Sequence, residues 1–101
     1  MDAVFVAVAD PTRRLLIERL RRDGPSSITE LTTGLTITRQ AVTKHLDALR
    51  AAGLVRARRE GRNRVHELDA EPLREVDDWL RPYAEAWDAR LTALRRHLGE
   101  E

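Results

Sequence analysis

A chain of 101 residues, 42% hydrophobic and 35% charged, is enough for one small domain, and with aromatics at 4% its thin core must be built of Leu, Val, Ile and Ala. The absence of cysteine excludes a disulfide framework and any thiolate metal site, and fits a reducing compartment. The formal net charge of +1 hides an uneven distribution: residues 1–35 sum to 0, 36–66 to +6 and 67–101 to −5, which argues for an acidic partner at one place on the surface.

In chain order, residues 2–9 read as a short helix. They include the longest apolar run, AVFVAVA (3–9), which is too short to span a bilayer and has no basic segment before it. The expectation is a soluble, cytoplasmic protein with no signal peptide and no membrane partner. Asp10-Pro11 starts the second helix, Asp as N-cap and Pro at the first helical position. Leu15, Leu16 and Leu20 recur there at helical spacing, with Ile17 beside them, and Asp23-Gly24-Pro25 ends it. Ser27 and Glu30 have capping-box spacing and open a short helix with Ile28, Leu31 and Leu35 inward.

Thr36 or Thr38 can cap the next helix, which runs from about 38 to Ala52 with Val42, Leu46 and Leu49 as its apolar stripe; Gly53 stops it. Residues 54–68 then carry short β-type segments on either side of the turn signal Glu60-Gly61-Arg62-Asn63, which predicts a hairpin. Glu71-Pro72 opens a last helical region with Leu73, Val76, Leu80, Tyr83, Trp87, Leu91, Leu94 and Leu98 three or four apart, and Pro82 should kink or split it. The fold class is therefore mainly α with a small β-hairpin wing, in the order α-α-α-α-β-β-α. It is a winged helix-turn-helix, with the helix-turn-helix at 27–52 and the wing at 54–68.

A helix that enters the DNA major groove packs on one face, reaches base edges from its first turns and meets phosphates on its flanks. The 38–52 helix supplies all three. Arg39 suits guanine O6/N7 and Gln40 suits adenine N6/N7. Thr38 and Thr43 are short donors for phosphate or methyl contacts for thymine, Lys44 is a point charge for phosphate, and His45 contacts either DNA or its own scaffold. In the wing, Arg56, Arg58, Arg59, Arg62 and Arg64 are offset only by Glu60, and a ribbon tipped with Arg reaches the minor groove or the backbone beside it. The alternative is an edge hairpin blunted by charge.

The runs DPTRRLLIERL (10–20), SITELTTGLTITRQAVTKHLDALRAAGLV (27–55) and RREGRNRVHEL (58–68) resemble the ArsR/SmtB family of bacterial winged-helix repressors, over about residues 3–98. The resemblance implies a homodimer on a palindromic operator, with the first and last helices (1–9 and 71–98) packed across a two-fold axis, a recognition helix at 38–52 and a wing at about 56–66. The residues support the dimer independently. Trp79, Leu80, Tyr83, Trp87, Leu91, Leu94 and Leu98, with Val4, Phe5 and Val8, are more apolar surface than these helices can bury alone.

Many members of that family sense metals. The thiolate site on the third helix has no counterpart in SITELTTGL. Of the pattern on the last helix, only the second half is met, by His97 and Glu100; the first half falls on Ala84 and Ala86. Half a ligand set does not enclose an ion, so no metal and no cofactor is expected. WLRPYAEAWDARL (79–91) resembles a metal-independent branch, whose effector its pattern does not name. Trp79, Tyr83 and Trp87 could line a small-molecule pocket at the dimer interface, although such stripes are more often core. No catalytic set is present, so an enzyme is not expected. The rival to a DNA-binding regulator is a winged helix that docks other proteins, a use for which the wing arginines are superfluous.

Overall fold

Three helices of the computed structural model, which describes residues 2–99, begin at a side-chain cap that the sequence supplies. Glu100, from the half-site above, lies outside the described residues, as do Met1 and Glu101. The elements are α1 (Asp2–Ala9), α2 (Pro11–Asp23), α3 (Ile28–Thr32), α4 (Arg39–Ala51), β1 (Val55–Glu60), β2 (Asn63–Leu68) and a 3-10 turn (Glu71–Leu73) that runs into α5 (Arg74–His97). Asp10 caps α2 through the N–H groups of Thr12 (2.8 Å) and Arg13 (3.1 Å). Ser27 and Glu30 form the reciprocal capping box of α3, at 3.2 and 2.9 Å. Of the two threonines before α4, Thr38 is the cap, accepting from the Ala41 N–H at 3.1 Å. These contacts satisfy donors that every helix start leaves open.

The core is aliphatic, as the composition requires. Leu16, Leu20, Leu31, Val42, Leu46, Leu49, Leu54 and Val55 are all buried, so α4 packs its stripe on α2 and α3. Two expectations are corrected here. Leu15 is 41% exposed, because a helix turns about 100° per residue and α2 spends its inward arc on Leu16 and Leu20. Val4, expected at a two-fold interface, lies in the chain's own core beside Ala7. Pro82 neither splits nor ends α5, which runs unbroken through it. Asp78, whose carbonyl the proline deprives of a partner, and Pro82 are both exposed, so solvent can take up the freed group.

The two strands pair antiparallel from Val55↔Leu68 to Glu60↔Asn63. That leaves Gly61-Arg62 as a two-residue turn with Gly61 at φ 63° and Arg62 on the negative side, the pattern of a type II′ hairpin. The wing is also tied at its root. Ser26, just before α3, exchanges two backbone hydrogen bonds with His66 of β2 (2.9 and 2.7 Å), fixing the ribbon against the helix-turn-helix.

His66 is 3% exposed and its Nδ1 has no hydrogen-bond partner. Burial pushes its pKa down from 6.5, helped by Arg64 and Arg50; the Ser26 backbone and Asp47 of α4 oppose. The unfolded chain therefore holds the extra proton just below the ordinary histidine value. Stability is full above about pH 6.5 and drains as the pH falls below it. Thermal unfolding should show Tm falling on acidification across this window, and His66→Leu should flatten that part of the profile. An unchanged profile in the variant would mean that another group carries the proton.

Candidate nucleic-acid interface

The candidate recognition face lies on α4, and a side chain of α2 braces the turn before it. Arg19 of α2 reaches the carbonyls of Leu31 (3.1 Å) and Thr33 (2.6 Å), closing the end of α3, while Gly34 at φ 77° turns the chain toward α4. The turn between the two helices is thus pinned by a side chain from a third. Gln40, Thr43 and Lys44 are exposed on α4. The Thr43 hydroxyl donates back to the Arg39 carbonyl at 2.9 Å, leaving its lone pairs and its methyl for a partner. Thr38 keeps its hydroxyl proton while its oxygen serves as cap.

His45 is not with this group. It is half-buried, and its charge is felt at Asp10, the cap of α2. The carboxyl of Asp10 is held below its ordinary value mainly by the Arg13 N–H, with further help from the Thr12 N–H and then from His45. Arg39 also departs from the face that Gln40 and Lys44 share: its Nη1 donates to the Thr29 hydroxyl of α3 at 2.7 Å.

The wing carries its charges unequally. Arg56 meets Glu67 at 3.6 Å and Arg58 meets Glu60 at 2.8 Å. Arg59, Arg62 and Arg64 have no carboxylate within 4 Å among the described residues. Arg59 and Arg64 are direct cross-strand partners. Like charges opposite one another destabilise a hairpin, so this pair works against the fold and for an anionic partner. Between wing and helix-turn-helix lies an open cleft of about 710 Å³, with Arg39, Ser27 and Thr29 on one wall and Arg62, Asn63 and Arg64 on the other. Sequence reasoning missed Ser27, Thr29 and Asn63; only the capping box hinted that α3 would turn its first hydroxyls outward.

All four aromatic residues lie at the other end of the molecule. Trp79 meets the edge of Phe5 (centroids 6.1 Å, 81°) and tilts onto Tyr83 (5.4 Å, 47°). Trp87, Leu91, Leu94 and Leu98 continue the stripe, each at least half exposed, while Leu80 and Val8 are partly covered. Among the described residues no helix is long and apolar enough to cross a membrane.

Comparison with known proteins gives the same architecture. Residues 8–58 match the family model described as a helix-turn-helix domain. An uncharacterised HTH-type transcriptional regulator of Bacillus subtilis, YuzN, is 42% identical over 81 residues, covering 74% of this chain and 88% of that protein. The crystal structure of an ArsR family transcriptional regulator superposes with a TM-score of 0.73 at 34% identity, over 86% of this chain and 89% of the other. An ArsR-like transcriptional regulator from Rhodococcus sp. RHA1 gives 0.70 at 35% identity, over 94% and 89%. The chain therefore belongs to the ArsR family of winged helix-turn-helix regulators, and it acts on transcription by binding DNA.

Proposed function

We propose that the chain is a homodimeric repressor of a palindromic operator, working in the cytoplasm by occupying promoter DNA. The observation that carries this reading is the pair of wing arginines, Arg62 and Arg64, that have no carboxylate within 4 Å among the described residues and line a cleft that α3 and the start of α4 share. In it α4 enters the major groove. Gln40 reads adenine, Thr38 and Thr43 meet phosphate or a thymine methyl, and Lys44 meets phosphate. Arg58, Arg59, Arg62 and Arg64 follow the neighbouring backbone or minor groove. His45 supports the helix from behind. The chain has a binding role and no catalytic one.

The dimer draws support from α5. Trp79, Tyr83, Trp87, Leu91, Leu94 and Leu98 are exposed along it, and among the described residues of α5 only Val76 packs against the chain's own core. Charge along α5 is also polar: Glu75, Asp77, Asp78, Glu85 and Asp88 outnumber Arg74 and Arg81 in the first part, and Arg90, Arg95 and Arg96 occupy the last turns. A two-fold axis perpendicular to such a helix lays it beside its copy in the opposite direction, acidic part against basic part. Phe5, Val8, Leu80, Tyr83, Trp87, Leu91 and Leu94 form this interface.

Fluorescence anisotropy on the DNA upstream of its own coding sequence and on a scrambled duplex, each at two salt concentrations, tests the reading. Tight, salt-sensitive binding to the first and weak binding to the second is expected. Equal weak binding would turn the wing into a mere basic patch and favour a protein-docking role. Arg62→Ala should weaken binding evenly across sequences and flatten the log–log salt slope by about one. An unchanged slope would remove Arg62 from the phosphate contacts.

A further inference from the structure

The guanidinium of Arg39 is held ten residues back along the chain, on the hydroxyl of Thr29, instead of lying over the exposed face of its own helix. Thr29 is itself fixed at the start of α3, where its carbonyl accepts the hydroxyls of Thr32 (2.9 Å) and Thr33 (3.1 Å). The Arg39 side chain thus forms one wall of the cleft whose other wall is Arg62, Asn63 and Arg64. Two carboxylates also line the cleft, and both are engaged: Glu30 accepts from the Ser27 N–H in the capping box, and Glu60 pairs with Arg58. Arg39, Arg62 and Arg64 have no acidic partner within 4 Å among the described residues.

We infer that Arg39 is a phosphate clamp and that Thr29 is its positioning residue, so that one DNA strand threads its backbone between α3 and the wing. This inference rests on the DNA-binding reading above and assigns Arg39 a contact that carries no base information. Bidentate recognition of guanine needs two free, parallel N–H donors presented in the groove. The Thr29 bond uses one Nη1 hydrogen and holds the guanidinium at the cleft, so Arg39 offers its remaining donors there and not over the exposed face of α4. The Thr29 hydroxyl accepts from Arg39, so its own proton is free to donate to the same non-bridging phosphate oxygen. A diester seated there meets Arg39 and Thr29 from one wall and Arg62 or Arg64 from the other, all charge-assisted contacts. Sequence discrimination then falls to Gln40 and Thr43.

The test uses the full-length chain, titrated by anisotropy against its upstream duplex, a scrambled duplex, and versions of the upstream duplex with single base pairs exchanged, at four salt concentrations. Arg39→Ala should lower affinity for all duplexes evenly and flatten the salt slope by about one. Arg39→Lys should keep the slope and the base preferences, since phosphate accepts a point charge and bidentate base reading does not. Thr29→Val should weaken binding about three- to tenfold on every duplex, and Thr29→Ser should restore it. Unchanged melting curves for both Thr29 variants separate positioning from folding.

Loss of discrimination at one base pair in Arg39→Ala, with the slope unchanged, would make Arg39 a base reader and overturn the inference. Wild-type affinity in Thr29→Val would do the same for Thr29. If the wild type fails to distinguish upstream from scrambled DNA, the specific-operator reading fails, while the clamp is still scored by the Arg39 slopes on both duplexes.

Discussion

Leu91→Glu should turn a dimer into a folded monomer and lower affinity for an operator with two half-sites by about 10²- to 10⁴-fold. Leu91 is half exposed on a part of α5 that lies clear of the chain's own core, so the change costs the monomer little. In the proposed dimer it buries a carboxylate in a mostly apolar seam, at a desolvation cost. Once the two recognition helices are unlinked, the second no longer binds at the high effective concentration that the first provides. Light scattering should show the mass halved, circular dichroism the same helix content, and anisotropy an unchanged affinity for a duplex with a single half-site. A dimer that survives Leu91→Glu would move the two-fold interface away from α5.

Leu46→Ala attacks the buried face of α4, with the opposite outcome. Leu46 is 1% exposed, between Val42 and Leu49 in the stripe that seats α4 on α2 and α3. Its truncation removes buried surface and leaves a cavity, and should cost about 3 kcal/mol. In a domain of this size that lowers Tm by roughly 12–24 °C. Lys44→Ala, two residues away on the exposed side, should leave Tm nearly unchanged and weaken DNA binding. The pair separates what α4 does for the fold from what it does for DNA. A small loss of Tm in Leu46→Ala would show that the surrounding side chains collapse into the space.

Local chemistry was legible in the sequence wherever a residue type has few alternatives. Asp10-Pro11, the Ser27/Glu30 box and Gly61 each announce a helix start or a turn, and each stands where its chemistry requires. The α4 stripe was equally plain, because Val42, Leu46 and Leu49 share one arc with no rival face. Long-range choices were not legible. The Ser26–His66 bridge pairs single residues forty apart, and no periodicity marks a strand of one residue. Leu15 and Val4 carry the right apolar type, but which arc of α1 or α2 meets the core depends on how the helices cross.

The recognition set shows the same division. Gln40, Thr43 and Lys44 follow from spacing on a helix, since spacing fixes which residues lie on its outer face. The departure of Arg39 toward Thr29 depends on the turn between α3 and α4, and that of His45 toward Asp10 on how α4 packs against the start of α2. Long or ring side chains at the edge of an amphipathic face can swing either way, and the neighbour that decides is on another element.

The placement of all four aromatic rings on the α1–α5 surface gives the molecule an optical division of labour. Both indoles sit on α5, more than half exposed, and the core and wing hold none. Tryptophan emission is therefore blind to the packing of α4 and sensitive to whatever covers α5. On dilution or in mild denaturant, a red shift would report the separation of protomers in the proposed dimer, whereas ellipticity at 222 nm reports the melting of helices. Two curves that part company as concentration falls would give the dimer and the fold their separate free energies from unlabelled protein.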